Sequence, residues 1–235
     1  MAVLAEQESG TAARIVAAAR ELVLKRGVKG LSISAIAEKA HVAKGTMYLH
    51  WKNREDLLVG LFARDVLAVF DVFTERITAD PDVSRPSRLL PLIVEITGEY
   101  PFVRAMQTED SDLLGVLTEH PMTKELRESF GPASLVYTTL PVWREHNLAR
   151  TDWPLDQQAY ALQALMSGFQ AATGPRALRI VTVADTTAVV SLAVTALLGP
   201  ETAGPEDVRA AAERALAELA ARREALLASI GKQQA

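Results

Sequence analysis

The sequence contains no cysteine. Disulfides, zinc–thiolate sites, iron–sulfur clusters and cysteine nucleophiles are thereby excluded. Aromatic residues make up only 6% of the chain. Long apolar runs are missing too. The most apolar stretch, Ala188–Leu198, includes Ser191 and Thr195 and is 11 residues long, where a membrane span needs roughly 20. The opening MAVLAEQESG carries Glu6 and Glu8 and no basic residue, so it does not read as a secretory signal. These absences point to a soluble, cytoplasmic chain without a membrane partner.

Sequence signs of catalysis are missing as well. The four histidines, His41, His50, His120 and His146, show no H-E-x-x-H or other paired spacing. There is no Gly-rich phosphate loop and no G-x-S-x-G elbow. The acidic cluster Glu109, Asp110 and Asp112 reads as a solvated helix N-terminus rather than a metal site. The expectation is a protein that is not an enzyme and needs neither metal nor cofactor.

What is present is globular: 49% hydrophobic and 23% charged residues, with 13 Gly and 11 Pro in 235 residues, enough for one or two domains. Abundant Ala and Leu, with no alternating pattern beyond about four residues and no internal repeat, favour helices. Net charge is −4 but uneven. Residues 11–56 hold nine basic and four acidic residues, a local +5, while 57–235 hold 16 basic and 23 acidic residues. A basic head on an acidic body hints at a polyanionic partner for the head.

Helical spacing organises the chain. Ile15, Ala18, Ala19, Leu22 and Val23 form one apolar stripe, with Thr11 as a candidate N-cap and Gly27 at the end. A short helix follows over Ile33–Ala40 with Ser32 as N-cap, then a turn at His41, a residue that tolerates positive φ. A third short helix reads from Lys44 to about Trp51, because Met47 and Trp51 fall on one face. Asn53 caps a long fourth helix with Asp56 at N3. Its stripe runs from Leu58 through Phe62, Phe70 and Phe73 to Ile77, some 25 residues or roughly 37 Å. Beyond Pro86 helices are expected near 88–99, 102–107, 111–119, 122–130, 132–147, 155–172 and 184–198, with a break at Thr173-Gly-Pro. A last helix starts at Pro205, with Glu206 and Asp207 in its first turn.

The first three helices pack as a helix-turn-helix unit around Ile15, Leu22, Ile36, Val42, Met47 and Trp51. In such a unit the later helix enters the DNA major groove. With Met47 and Trp51 inward, the opposite face presents Lys44, Gly45, Thr46, Tyr48 and His50. Ser34 and Arg54 flank it, and Arg54 is suited to a phosphate.

The stretch Leu31–Leu58, and above all Val42-x-Lys-Gly-Thr-x-Tyr-x-His-Trp51, resembles the tetracycline-repressor (TetR) family of transcriptional regulators. The resemblance covers about residues 10–60. It departs from the family at His41, where Gly is common, and at Ala43, where Ser is common; Ala43 removes an N-cap oxygen from the recognition helix.

The resemblance implies an all-α protein. Its domains would be a flexible tail (1–10), a helix-turn-helix DNA-binding head (11–56) and a helical ligand-binding and dimerisation body (57–235), the last two joined by the long helix. Its implied partners are double-stranded operator DNA, a small-molecule effector and a second copy of the chain. A palindromic operator would be bound by a homodimeric repressor and released by a small, largely apolar effector. Alternatives are a ligand-independent regulator or activator, or a helical protein-binding adaptor. Candidate effector contacts are Phe73, Tyr100, Phe102, Arg104, Met106, Gln107, Tyr137, Trp143, Met166 and Phe169. Candidate dimer contacts are Leu162, Leu165, Val190, Val194 and Leu197.

Overall fold

Every element among the described residues is helical. The computed structural model describes residues 4, 9–29, 31–107, 110, 114–115, 117, 120–121, 123–124, 126, 132–173, 181 and 183–234. The helices expected at 111–119 and 122–130, Glu109, Asp112, most of the N-terminal tail and the Gly174-Pro175 loop lie wholly or partly outside them.

Helix α1 spans Gly10–Arg26 and starts earlier than the sequence pattern suggests. Ser9, not Thr11, is the N-cap, its Oγ accepting from the Ala12 amide at 3.3 Å. Either hydroxyl has the right chemistry. Ser9 has the extended backbone that a cap requires, while Thr11 is already helical. Gly27 ends the helix at φ 69°, in the region that favours glycine.

Helix α2 spans Ile33–Ala40, with Ser32 Oγ accepting from the Ala35 amide at 3.2 Å. His41 follows at φ 55°, ψ 48°. The His41 amide donates to the Glu38 carbonyl and the Val42 amide to the Ala37 carbonyl, a Schellman closure with histidine where glycine is usual. Helix α3, Lys44–Met47, is only four residues long and stops short of the expected Trp51. Tyr48–His50 form a turn, with the His50 and Trp51 amides both on the Met47 carbonyl. Ala43 supplies no side-chain cap. Ala43→Ser is therefore expected to stabilise the head by about 1 kcal/mol, read as a higher denaturant midpoint at unchanged slope.

Helix α4, Arg54–Ala79, opens on the Asn53 cap, whose Oδ1 accepts from the Asp56 amide at 2.7 Å. A 3-10 turn, Pro81–Ser84, leads to α5 (Pro86–Glu99), α6 (Pro101–Gln107), α7 (Pro132–Glu145), α8 (Leu155–Thr173), α9 (Thr186–Leu198) and α10 (Pro205–Gln234).

The chain divides into two compact units. The first combines Met1–Ala68, Pro101–Arg127 and Ala221–Ala235; the second combines Val69–Tyr100 and Glu128–Ala220. The core of the first unit includes Ile15, Ala19 and Leu22 from α1, Ile36 from α2, Met47, Trp51, and Leu58, Leu61 and Phe62 from α4. Burying each large side chain contributes roughly 1.5–3 kcal/mol. The first unit is thus larger than the three-helix head. In the second unit α9 lies along α5, α8 packs on α5, α7 and α9, and the Trp143 Nε1–H donates to the Ser84 carbonyl at 2.9 Å.

Candidate nucleic-acid interface

The pattern of burial orients the recognition segment. Met47 and Trp51 are buried, Thr46 and His50 half-buried, and Lys44, Gly45, Tyr48, Leu49 and Lys52 exposed. Two buried residues four apart anchor this stretch, so positions two residues away from them point outward. The outward face carries two lysines and a Tyr48 that is 56% exposed. Gly45 adds no side chain, and a Cβ there would meet nothing within 4 Å. The His50 ring lies against the Trp51 ring, tilted, at 5.5 Å between centroids. Ser34 is exposed on the first turn of α2. Such a face offers cations and hydroxyls to phosphates and a bare backbone for close approach.

Arg54 makes contacts within the chain. Its Nη1 donates to the Leu31 carbonyl at 2.7 Å, and its Nε and Nη2 donate to Glu55 Oε1 at 3.0 and 2.7 Å. The guanidinium thereby braces the start of α4 against the entry to α2. Burial pushes the Glu55 carboxyl up. The Arg54 hydrogen bonds, a backbone hydrogen bond and the positive charges of Arg54 and His120 outweigh that and hold it below the usual carboxylate range. The contribution is present above the ordinary glutamate range and is lost as pH falls through the lowered value.

A second feature was not anticipated from the sequence. Asp65 of α4, only 3% exposed, accepts from the Arg20 guanidinium of α1 on Oδ1 and from the Phe102 amide of α6 on Oδ2, the latter at 3.3 Å. The Phe102 ring packs on Phe62 at 4.6 Å between centroids, and the Arg20 guanidinium lies 5.2 Å from its centre. One buried carboxylate thus joins three helices of the first unit and satisfies an otherwise orphan amide at the start of α6. The sequence did carry a signal. Asp65 falls on the inward stripe of α4, three and four residues after Phe62 and Leu61, where a charge requires a partner.

The candidate effector residues fall in both units. Phe102, Arg104 and Met106 belong to the first unit, with Phe102 fully buried in its core. Phe73, Tyr100, Tyr137, Trp143, Met166 and Phe169 belong to the second. Phe73, Trp143 and Met166 are buried there, Tyr100 and Phe169 half-buried, and Tyr137 faces outward. The side chain of Gln107 lies outside the described residues.

The candidate dimer contacts differ in burial. Leu162, Val190 and Val194 are completely buried within their own unit, and Leu165 and Leu197 are half-buried. The apolar stripe of α9, Val190–Val194–Leu198, is consumed inside the protomer. Its exposed side includes Val189, Leu192 and Ala196, and that of α8 includes Tyr160, Ala164, Ser167, Gly168 and Ala171. No helix among the described residues is long and apolar enough to cross a membrane.

Residues 15–61 match the family of bacterial regulatory proteins, tetR family. The chain is 26% identical over 180 residues to a fatty acid metabolism regulator protein of Bacillus subtilis (strain 168), covering 65% of this chain and 88% of that one. An uncharacterized HTH-type transcriptional regulator of Haemophilus influenzae is 32% identical over 81 residues, 34% of this chain and 41% of that one. In fold, the chain is similar to the crystal structure of a transcriptional regulator FadR from Bacillus subtilis in complex with stearoyl-CoA. The TM-score is 0.52 at 17% identity, covering 79% of this chain and 97% of that one. These relatives are regulators rather than enzymes, and over residues 15–61 the helix-turn-helix stretch of this chain is similar to that of the bacterial regulatory proteins of the tetR family.

Proposed function

We propose that this regulator is a cytoplasmic homodimeric repressor that binds a palindromic operator and is released by a long-chain acyl-CoA. The outward face with Lys44, Tyr48 and Lys52, on a head of local charge +5, carries the DNA-binding part of the reading. One four-residue recognition helix is too small a contact for tight specific binding. Two heads related by a dyad would read half-sites about 34 Å, or a multiple, apart. The second copy docks on the exposed sides of α8 and α9. Tyr160 is 75% and Leu192 71% exposed there, α9 carries no charged residue, and α8 carries only Asp156. Faces depleted of charge and rich in small and apolar residues are those that oligomers cover.

The acyl-CoA effector is supported by the sequence relative named as a fatty acid metabolism regulator and by the low aromatic, aliphatic-rich character of the helical body. Release requires that the effector favour the arrangement that does not bind DNA. Stearoyl-CoA should release the protein from its operator and raise its melting temperature, while coenzyme A alone should do neither. An operator complex indifferent to acyl-CoA of every chain length would leave a ligand-independent regulator as the better reading.

The DNA face has its own test. Lys44→Ala with Tyr48→Ala should weaken operator binding at least about tenfold at fixed salt and flatten its salt dependence. Helicity should stay unchanged, because both side chains are exposed. Wild-type affinity in the double variant would mean that another surface meets the DNA.

A further inference from the structure

Leu49 is 77% exposed, more than any other large hydrophobic side chain among the described residues. It stands in the turn that continues the recognition helix, its amide held by the Thr46 carbonyl at 3.3 Å. The side chain is therefore presented on a hydrogen-bonded backbone rather than on a free loop. Met47 and Trp51 are buried on the inner side, so Leu49 shares the outer side with Gly45, four residues earlier. Apart from its own chain neighbours and helix backbone, a Cβ at Gly45 would meet nothing within 4 Å, which leaves open space four residues before the leucine. Cationic and polar neighbours surround this apolar spot: Lys44, Tyr48 and Lys52.

We propose that Leu49 is a specificity-determining residue that reads the 5-methyl group of a thymine in each half-site, beside the gap left by Gly45. The inference rests on the DNA-binding reading and adds a base to it. Within the major groove, guanine, adenine and cytosine present hydrogen-bonding edges, whereas thymine presents a methyl group. A leucine forms no hydrogen bond, so among base edges only that methyl rewards its removal from water. Lys44 and Tyr48 are suited to phosphates and polar edges and hold the register; Leu49 adds the apolar discrimination.

The test selects an operator from random duplex DNA with the full-length protein, then replaces its thymines singly by deoxyuridine, which removes only the methyl. Wild type should lose about fourfold in affinity at one symmetry-related position per half-site, the value of one buried methyl-sized group. Leu49→Ala should bind the unmodified operator more weakly by a similar factor and become indifferent to uracil at that position. It should keep wild-type helicity and melting temperature, since the side chain is exposed. Two results overturn the proposal: wild type that tolerates uracil throughout, as a leucine packed on deoxyribose would, or a Leu49→Ala protein that keeps the wild-type uracil pattern. A selection that enriches no sequence overturns the DNA-binding reading itself, and this proposal with it.

Discussion

Leu192→Glu, combined with Tyr160→Glu, is expected to give a folded monomer that binds operator at least about a hundredfold more weakly than wild type. Both side chains are exposed on the uncharged faces of α8 and α9, so the substitutions leave the protomer core intact. Buried against a second copy, each glutamate would lose its hydration without gaining a partner. The operator effect follows from linkage. Joining two heads makes the second binding event intramolecular, which is commonly worth a factor of about 10²–10⁴ that the monomer forfeits.

Val194→Glu provides the contrast. Val194 is completely buried within its own unit, so the charge should unfold that unit, at a cost of about 4 kcal/mol or more, rather than merely separate protomers. Light scattering at micromolar concentration with circular dichroism separates the two outcomes. A dimeric Leu192→Glu/Tyr160→Glu protein would move the interface elsewhere, and a wild type monomeric at that concentration would remove the dimer from the proposal.

The second large effect concerns Asp65. Arg20→Met alone leaves a carboxylate at 3% exposure without its guanidinium, and should destabilise the protein by about 3 kcal/mol. Arg20→Met with Asp65→Leu replaces the pair by apolar groups and should recover most of that loss, because no buried charge is left. The recovered protein should differ in regulation. Its α6 has lost the carboxylate that accepted from the Phe102 amide, and α1 has lost its link to the same point. If the effector acts by displacing α6, the factor by which stearoyl-CoA lowers operator affinity should fall toward one. By reciprocity, the factor by which operator lowers stearoyl-CoA affinity should fall equally. Unfolding curves of the single and double variants read the first claim without any ligand. An unchanged release factor in a well-folded double variant would place the coupling in other contacts.

Much of this was legible in the linear order of residues. The stripe Ile15–Ala19–Leu22, the Ser32 and Asn53 caps, the histidine turn and the Pro205 start all rest on interactions three or four residues apart, which spacing displays directly. The outward set Lys44, Gly45 and Tyr48 follows from the same spacing once Met47 and Trp51 are taken as buried. The local choice between Ser9 and Thr11 was less visible, since both have cap chemistry and only the backbone at Ser9 is extended.

Tertiary structure decided the rest. Arg20 and Asp65 are 45 residues apart, and no local period relates a helix to the one it packs against. Arg54 reads in the sequence as a cation available to a phosphate, but folding brings the Leu31 carbonyl within its reach. The apolar face of α9 shows the limit most clearly. Sequence alone marks Val190, Val194 and Leu192 as equally hydrophobic, and the hydrophobic effect carries no address. Only packing against α5 and α8 determines that the two valines are buried at home while Leu192 is left facing outward.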